Sequence, residues 1–309
     1  MTSANLLDTL ATEQNNPASV AIDEMTTVEM MALMNEEDQK AALSIAPIVP
    51  QIAKAVDLIA DRLRHNGRLI YCGAGTSGRL GVLDAAECPP TYGTKPEQVV
   101  GRIAGGRAAM FRAQEGAEDD EAAAIADLKD LGLTAADIVV GLSASGRTPY
   151  AVSALRYAHQ TGAATISVAA SPASPLAKEA DIELTACPGP EVIAGSTRLK
   201  AGTVQKMILN MLSTGTMILL GKVYGNRMVD LQATNEKLTR RAVRIVQEVT
   251  GDEETTCQEN LKKADGNAKL AIFLSLSDLS PEEGKSWLEQ SAGHLKTALH
   301  TFASKGGTS

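Results

Sequence analysis

Two glycine- and hydroxyl-rich segments, residues 73–79 (GAGTSGR) and residues 141–147 (GLSASGR), align end to end at an offset of 68 residues. Each follows a short apolar run and precedes a helix-like stretch, and we name them the first loop and the second loop. A turn between a strand and a helix exposes the first N–H groups of that helix at the positive end of its dipole, and Ser and Thr add hydroxyl donors. The pair therefore predicts an α/β unit that holds a phosphorylated small molecule from two sides.

Apolar strands alternate with helical stretches through the middle of the chain. The predicted strands lie at residues 69–72, 99–103, 138–142, 165–169 and 182–185. This alternation predicts an α/β fold with a central, mostly parallel sheet and helices on both faces. Ligands of such sheets bind outside the carboxyl ends of the strands, where both loops would lie. Thr148 and Pro149 strengthen this interpretation of the second loop, because Thr suits the N-cap of a helix and Pro suits its first turn.

Helices are predicted on both sides of this region. A capping-box sequence at residues 26–29 starts a first helix, whose apolar face would contain Val28, Met31 and Met34. The apolar spacing over residues 52–63 predicts a second, amphipathic helix. Further helices are predicted at residues 197–220, 231–249, 257–264, 268–275 and 281–303. The domains are predicted to be a main domain at residues 1–250 and a small helical domain at residues 251–309.

Composition and charge argue against several classes of function. The chain has 309 residues, a formal charge of −8 and 3% aromatic residues, so we expect no nucleic-acid partner. No run approaches 18 uninterrupted apolar residues and the N-terminus lacks the pattern of a signal peptide, so we expect a cytoplasmic protein without a membrane partner. The four Cys and four His residues show no metal-ligand spacing. Neither a metal site nor a disulfide scaffold is predicted.

The first loop also matches the dinucleotide-binding pattern, because Gly73, Gly75 and Gly78 follow a strand with GxGxxG spacing. That pattern expects an acidic residue about 20 residues further on, at the end of the second strand. Residues 99–106 contain the second strand and the turn after it, and they include no carboxylate. The chain also lacks a Gly-Lys-Ser/Thr sequence. We therefore predict no nicotinamide, flavin or other cofactor.

Two carboxylates stand out near the predicted strand ends. Glu87 follows the first loop, at a point where Pro89 and Pro90 are expected to end the helix. Glu118 follows the second strand and its Gly-Gly turn. A solvated surface charge is the ordinary state of an acidic residue, but a carboxylate beside a sugar phosphate can act as a general acid or base. Both glutamates are candidates for catalysis.

Longer motifs around these residues resemble one known family. They are LIYCGAGTSGRL at residues 69–80, DAAECPPT at residues 84–91, EGAED at residues 115–119 and SASGRTPY at residues 143–150. Together they resemble the N-acetylmuramic acid 6-phosphate etherases. The stretch GPEVIAGSTRLK at residues 189–200 is similar to a signature that these etherases share with the glucokinase regulatory protein. The resemblance extends from Thr12 to the helical tail.

This resemblance implies a sugar isomerase (SIS) fold with N-terminal helices, and a homodimeric cytoplasmic enzyme of bacterial cell-wall recycling. Such an enzyme cleaves the lactyl ether of N-acetylmuramic acid 6-phosphate, giving N-acetylglucosamine 6-phosphate and D-lactate. The catalytic positions it implies are Glu87 and Glu118. The phosphate-binding positions are Ser77, Ser143, Ser145, Gly146 and Thr148. Further substrate-binding positions are Gly75, Thr76, Arg79, Glu191, Ser196 and Lys200.

Two other functions share parts of this pattern. A non-catalytic sugar-phosphate-binding regulatory protein would share the fold and the 189–200 signature, but it needs no pair of carboxylates. An aldose–ketose isomerase would share chemistry on the open-chain sugar, but it needs no acid for a leaving group. The presence of Glu87 and Glu118 in their full motifs favours the etherase. Release of D-lactate from the substrate would distinguish the three functions.

Overall fold

Five parallel strands form the central sheet of the computed structural model, which describes residues 12–230 and 236–306. The strands are β1 (Leu69–Gly73), β2 (Val99–Ile103), β3 (Ile138–Leu142), β4 (Ala164–Ala169) and β5 (Ile182–Thr185). Their order is β2-β1-β3-β4-β5, and every neighbouring pair is parallel. β1, β3 and β4 are buried at every position, as apolar strands covered on both faces must be. The predicted parallel sheet is confirmed.

Helices surround the sheet and continue beyond it. Those as far as the end of the sheet are α1 (Thr27–Ile45), α2 (Val49–Arg64), α3 (Gly75–Tyr92), α4 (Glu121–Asp130), α5 (Pro149–Gln160) and α6 (Pro175–Lys178). Those after it are α7 (Lys200–Leu219), α8 (Glu236–Thr250), α9 (Glu254–Lys263), α10 (Ala268–Ser275), α11 (Pro281–Gln290) and α12 (Leu295–Ser304). A short antiparallel pair, β6 (Val223–Tyr224) and β7 (Arg227–Met228), follows α7. Residues 231–235 of the helix predicted at 231–249 lie outside the described residues.

The described chain forms two compact units. Residues 12–86 and 96–215 form the first, which we call the sheet unit, and residues 87–95, 216–230 and 236–306 form the second, the helical unit. The domain boundary predicted after residue 250 stays a prediction.

The buried face of the second N-terminal helix was predicted correctly, whereas that of the first was not. α1 begins with the predicted capping box, in which Thr26 and Glu29 bond reciprocally. Its expected apolar face is not buried, because the Val28 side chain is 79% exposed and Met31 is 53% exposed. α2 buries the predicted face, and the buried residues are Ile52, Ala55, Val56, Ile59, Ala60 and Leu63. The exposed apolar face of α1 is therefore available to another surface.

One segment of the described residues, Thr27–Arg64, has the length and apolar composition that a membrane-spanning helix needs. In the structure it consists of α1 and α2, which are separated by a 3-10 turn at Ala46–Ile48. The apolar face of α2 is buried within the protein. A core helix of a water-soluble protein passes the same test, so this single segment is weak evidence for a membrane span.

The helical unit has its own apolar core. Phe302 of α12 packs edge to face against Phe273 and Trp287, with ring centroids 5.9 and 5.5 Å away. Trp287 therefore packs at the edge of this core. The helix predicted over residues 281–303 is wrong in one respect, because it is two helices, α11 and α12. Ala292 and Gly293 both have positive φ at the break, and a left-handed backbone ends an α-helix.

Candidate functional site

The first and second loops lie side by side, at the carboxyl end of the parallel strands β1 and β3. Gly73, the last residue of β1, is in register with Leu142, the last residue of β3. β2 and β4 lie on opposite sides of this pair. The connections from β1 and β3 therefore leave in opposite directions and open a crevice at the point where doubly wound sheets bind their ligands. The two loops are therefore neighbours, and a single binding site between them stays a prediction.

Close packing explains the glycines of the first loop. A Cβ atom at Gly78 would lie 2.6 Å from the carbonyl oxygen of Gly73, and a Cβ atom at Gly73 would lie 3.0 Å from that of Leu142. Gly75 has φ +53° and begins α3. The first N–H groups of α3 thus face the edge of the sheet without helical partners, as an anion site requires.

The second loop gathers three hydroxyl groups. The Ser143 Oγ atom is 2.9 Å from Thr148 Oγ1 and 3.4 Å from Ser145 Oγ. Gly146 has φ +67°, and a Cβ atom there would lie 2.3 Å from the Cβ atom of Ser174. The loop can therefore take this form only with glycine at 146. Three clustered hydroxyls beside the start of α5 form a cradle suited to phosphate oxygens.

The first turns of α7 contact both loops. Ala201 packs with Ala144 of the second loop, and a Cβ atom at Gly202 would lie 3.5 Å from Thr76 Cγ2 of the first. Ser77 Oγ donates a hydrogen bond of 2.8 Å to Gln205 Oε1. Gln205 could not be identified from the sequence, because its position in a largely apolar helix does not indicate which loop lies opposite it.

A buried ion pair fixes the start of α7. The Glu191 carboxylate accepts hydrogen bonds of 2.9 Å from the N–H groups of Lys200 and Ala201. Lys200 Nζ pairs with Glu37, and both side chains are almost fully buried. Burial raises the pKa of Glu37, but hydrogen bonds from Lys200, Lys40 and Asn16 outweigh it and lower the pKa to about 2. Glu37 could not be predicted as the partner of Lys200, since 163 residues separate them.

The remaining residues of the 189–200 signature lie on a half-exposed turn before α7. Ser196 is half-buried and donates its backbone N–H to Ile193 O. Glu191 and Lys200 already have the partners described above. A contact of Glu191, Ser196 or Lys200 with substrate stays a prediction.

Glu118 lies on the rim of a cavity beside the first loop. The cavity has a volume of about 330 Å³, and its lining includes Gly75, Arg79, Glu115 and Glu118. Arg79 Nε donates to the Met110 carbonyl at 3.1 Å, which holds its guanidinium along the wall. Glu118 belongs to a 3-10 turn, Ala117–Asp119, and its side chain is exposed to solvent. A carboxylate, a guanidinium and free helix N–H groups thus surround one cavity.

Glu87 is an exposed residue of α3, twelve residues after Gly75. The expectation that Pro89 and Pro90 end this helix is wrong, because α3 continues to Tyr92. Both prolines lie in its final turn, and the Gly93 N–H closes that turn on the Pro89 carbonyl at 2.9 Å. The two prolines therefore remove two N–H donors near the end of the helix, but they do not end it.

One turn before Glu87, Asp84 anchors α3 inside the sheet unit. It accepts hydrogen bonds from Tyr71 Oη of β1 at 2.9 Å, and from Asn210 Nδ2 and Ser213 Oγ of α7 at 2.9 and 3.0 Å. Burial raises the pKa of Asp84, while these hydrogen bonds act in the opposite direction. Asp84 therefore ties one strand and two helices together behind the first loop.

Comparisons with known proteins agree with the predicted fold and family. Family models for the glucokinase regulatory protein N-terminal SIS domain, the SIS domain and the C-terminal lid domain of glucokinase regulatory protein match residues 51–159, 120–215 and 225–269. The N-acetylmuramic acid 6-phosphate etherase of Clostridium beijerinckii is 54% identical over 99% of this chain and 100% of its own. That of Vibrio vulnificus is 53% identical over 95% of this chain and 98% of its own. A phosphoheptose isomerase structure from Francisella tularensis is 20% identical, with a TM-score of 0.49, and matches 63% of this chain and 100% of its own.

Proposed function

This chain belongs to the N-acetylmuramic acid 6-phosphate etherase family, and we propose that it cleaves its substrate by elimination followed by hydration, with Glu87 and Glu118 as the catalytic carboxylates. The enzyme converts N-acetylmuramic acid 6-phosphate into N-acetylglucosamine 6-phosphate and D-lactate. It is a carbon–oxygen lyase.

The chemistry of the ether bond favours elimination. An ether is a poor electrophile, so direct displacement at its carbon is slow. In the open-chain sugar the C1 aldehyde acidifies the hydrogen on C2, and one carboxylate removes that proton while a carboxylic acid protonates the lactate oxygen as it leaves C3. Water then adds across the resulting double bond, with OH entering at C3 and a proton at C2. Two carboxylates supply every proton transfer in this sequence.

The phosphate is held by the two loops in this proposal. The donors on the first loop are Ser77 and the opening N–H groups of α3, and those on the second are Ser143, Ser145 and Thr148. This assignment rests on one observation. Gly73 and Leu142 are adjacent in the sheet, so the two loops that follow them lie next to each other. Binding energy from a group that does not react then holds C2 and C3 in place.

Two observations support roles for the glutamates. Glu118 lines the cavity that also reaches Gly75 and Arg79. Glu87 lies on α3, the helix that the first loop opens. The alternative of a non-catalytic regulatory protein requires neither carboxylate, and the high identity to relatives named as etherases favours the enzyme.

The test combines two substitutions with isotope labelling. Glu87→Gln and Glu118→Gln should each lower kcat at least ~10²-fold while sugar-phosphate binding persists. Glu97→Gln, which changes an exposed glutamate outside the loops and the cavity lining, serves as the control. Turnover in heavy water should place one deuterium at C2 of the product, and labelled water should place its oxygen at C3. Full activity in both variants would remove the catalytic assignment.

We propose that the enzyme acts in the cytoplasm and that it is a homodimer. The exposed apolar face of α1 supports the dimer, since Val28 and Met31 project from it into solvent. Leu43 near the end of α1 and Val49 at the start of α2 are also exposed, at 71% and 49%. A second copy of the chain would cover such apolar side chains.

A further inference from the structure

A buried amide beside the first loop has no hydrogen-bond partner for its nitrogen. Gln205 is 1% exposed, and its Oε1 atom accepts the hydroxyl hydrogen of Ser77 at 2.8 Å. Within the described part of the chain, its Nε2 group meets no acceptor. A buried donor left in this state is unfavourable, so an uncompensated amide in a well-packed helix calls for a functional explanation.

The direction of the Ser77 hydrogen bond conflicts with phosphate binding. A hydroxyl group has one hydrogen to donate, and a phosphate oxygen can only accept. While that hydrogen points at Gln205 Oε1, Ser77 offers the phosphate no donor. If the amide of Gln205 rotates by half a turn, Nε2 donates to Ser77 Oγ, and the hydroxyl hydrogen is released for the phosphate. The two amide orientations fill nearly the same space.

The backbone around Gln205 is held in place, so its amide can reverse while the helix stays where it is. Ala201 and Gly202, one turn earlier on the same face of α7, pack against both loops. The Glu191 carboxylate caps the helix start. Reversal of the Gln205 amide therefore requires only rotation about the last bond of its side chain. After the rotation Nε2 has a partner, and the amide oxygen Oε1 is the atom without one.

We propose that Gln205 is a positioning residue, which aims the Ser77 hydroxyl at the substrate phosphate by reversing its amide when the anion binds. This inference rests on the proposed phosphate site. It adds a residue that does not touch the phosphate and that acts only through Ser77.

The experiment compares two substitutions with different hydrogen-bonding capacity. Gln205→Glu offers only acceptors when ionised and fixes the Ser77 hydrogen in the wrong direction, so the KM for N-acetylmuramic acid 6-phosphate should rise about tenfold or more. Gln205→Met keeps the length of the side chain and leaves the hydroxyl free to turn, so KM should rise by about threefold. In both variants kcat should stay within about twofold. Thr216→Val, which removes another buried, unpaired polar group from α7, is the control and should change neither constant.

A double-mutant cycle with Ser77→Ala separates positioning from a structural role. Once Ser77 is alanine, Gln205→Met should change KM by less than about twofold, because the group it directs is gone. Additive effects in the double variant would overturn the inference, as would an unchanged KM in Gln205→Glu. If Ser77→Ala itself leaves KM unchanged, both the inference and the assignment of Ser77 fail, while D-lactate release would still establish the etherase. If Ser77→Ala raises KM and Gln205→Glu does not, only the inference fails.

Discussion

Replacing Lys200 with Met should destabilise the sheet unit strongly. Lys200 pairs with the buried carboxylate of Glu37, whose pKa is lowered from 4.5 to about 2. That difference corresponds to about 3 kcal/mol of folding stability at neutral pH. Removing one partner of a buried pair, which leaves the other charge uncompensated, typically costs about 3–5 kcal/mol. Lys40 and Asn16 also bond to Glu37 and remain after the substitution, so Lys200→Met should lose only part of these values, about 2 kcal/mol.

The same pair predicts a pH dependence. Because the pKa of Glu37 is depressed in the folded state, its contribution is fully present above pH 4.5 and is lost as pH falls towards about 2. Between pH 7 and pH 3 the wild-type protein should lose about 2 kcal/mol more stability than the double variant Glu37→Gln/Lys200→Met. Other carboxylates with lowered pKa, such as Asp137, are present in both proteins and cancel in the comparison.

Urea unfolding measured with two probes tests these values. The chain has one tryptophan, Trp287, and it lies in the helical unit. Its fluorescence therefore follows that unit, whereas far-ultraviolet circular dichroism follows both. The double variant should recover part of the stability that Lys200→Met loses, because it removes the buried carboxylate that has lost its buried cation. A loss below 1 kcal/mol in Lys200→Met, or a double variant no more stable than the single one, would refute the reasoning.

Three further predictions concern the loops and the assembly. Gly146→Ala should raise KM at least about tenfold, because residue 146 has a positive φ and the added Cβ would meet Ser174. Gly132→Ala is the control: residue 132 also has a positive φ but has open space around it, so KM should not change. Ser145→Ala should raise KM more than about tenfold and weaken product binding equally, since a hydrogen bond to a charged acceptor contributes roughly 1.5–3 kcal/mol; an effect on kcat alone would contradict this. Sedimentation should give a species of about 65 kDa, twice the 32.3 kDa chain, and a single species near 32 kDa at micromolar concentration would exclude the dimer.

Local patterns predicted the parts of the fold that depend on short stretches of chain. The burial of residues 52–63 on one face of α2 follows from their spacing alone. The strands β1 and β3 follow from apolar runs, because a parallel strand covered on both faces is apolar along its length. The pairing of the two loops could also be predicted, since the carboxyl ends of parallel strands meet at one edge.

Long-range contacts account for what the sequence did not reveal. Gln205 meets Ser77 across 128 residues, and Lys200 meets Glu37 across 163. No periodicity links such positions. The path of α3 through Pro89 and Pro90 was missed for a different reason. A proline pair usually ends a helix, yet in the last turn the lost N–H bonds are few enough for the helix to continue.

The register of β1 with β3 has a consequence for the order in which this protein acquires its site. The ribosome releases the first loop 68 residues before the second, so a nascent chain that carries β1 has only half of the anion cradle. In the proposed phosphate site, both loops are needed to hold the sugar phosphate, so the ligand should favour the chain in which these two strands are paired, by mass action. At a hundred times its Kd, that ligand adds about 2.7 kcal/mol to stability. Substrate supply should thus govern how much intact enzyme persists, in addition to how fast it turns over.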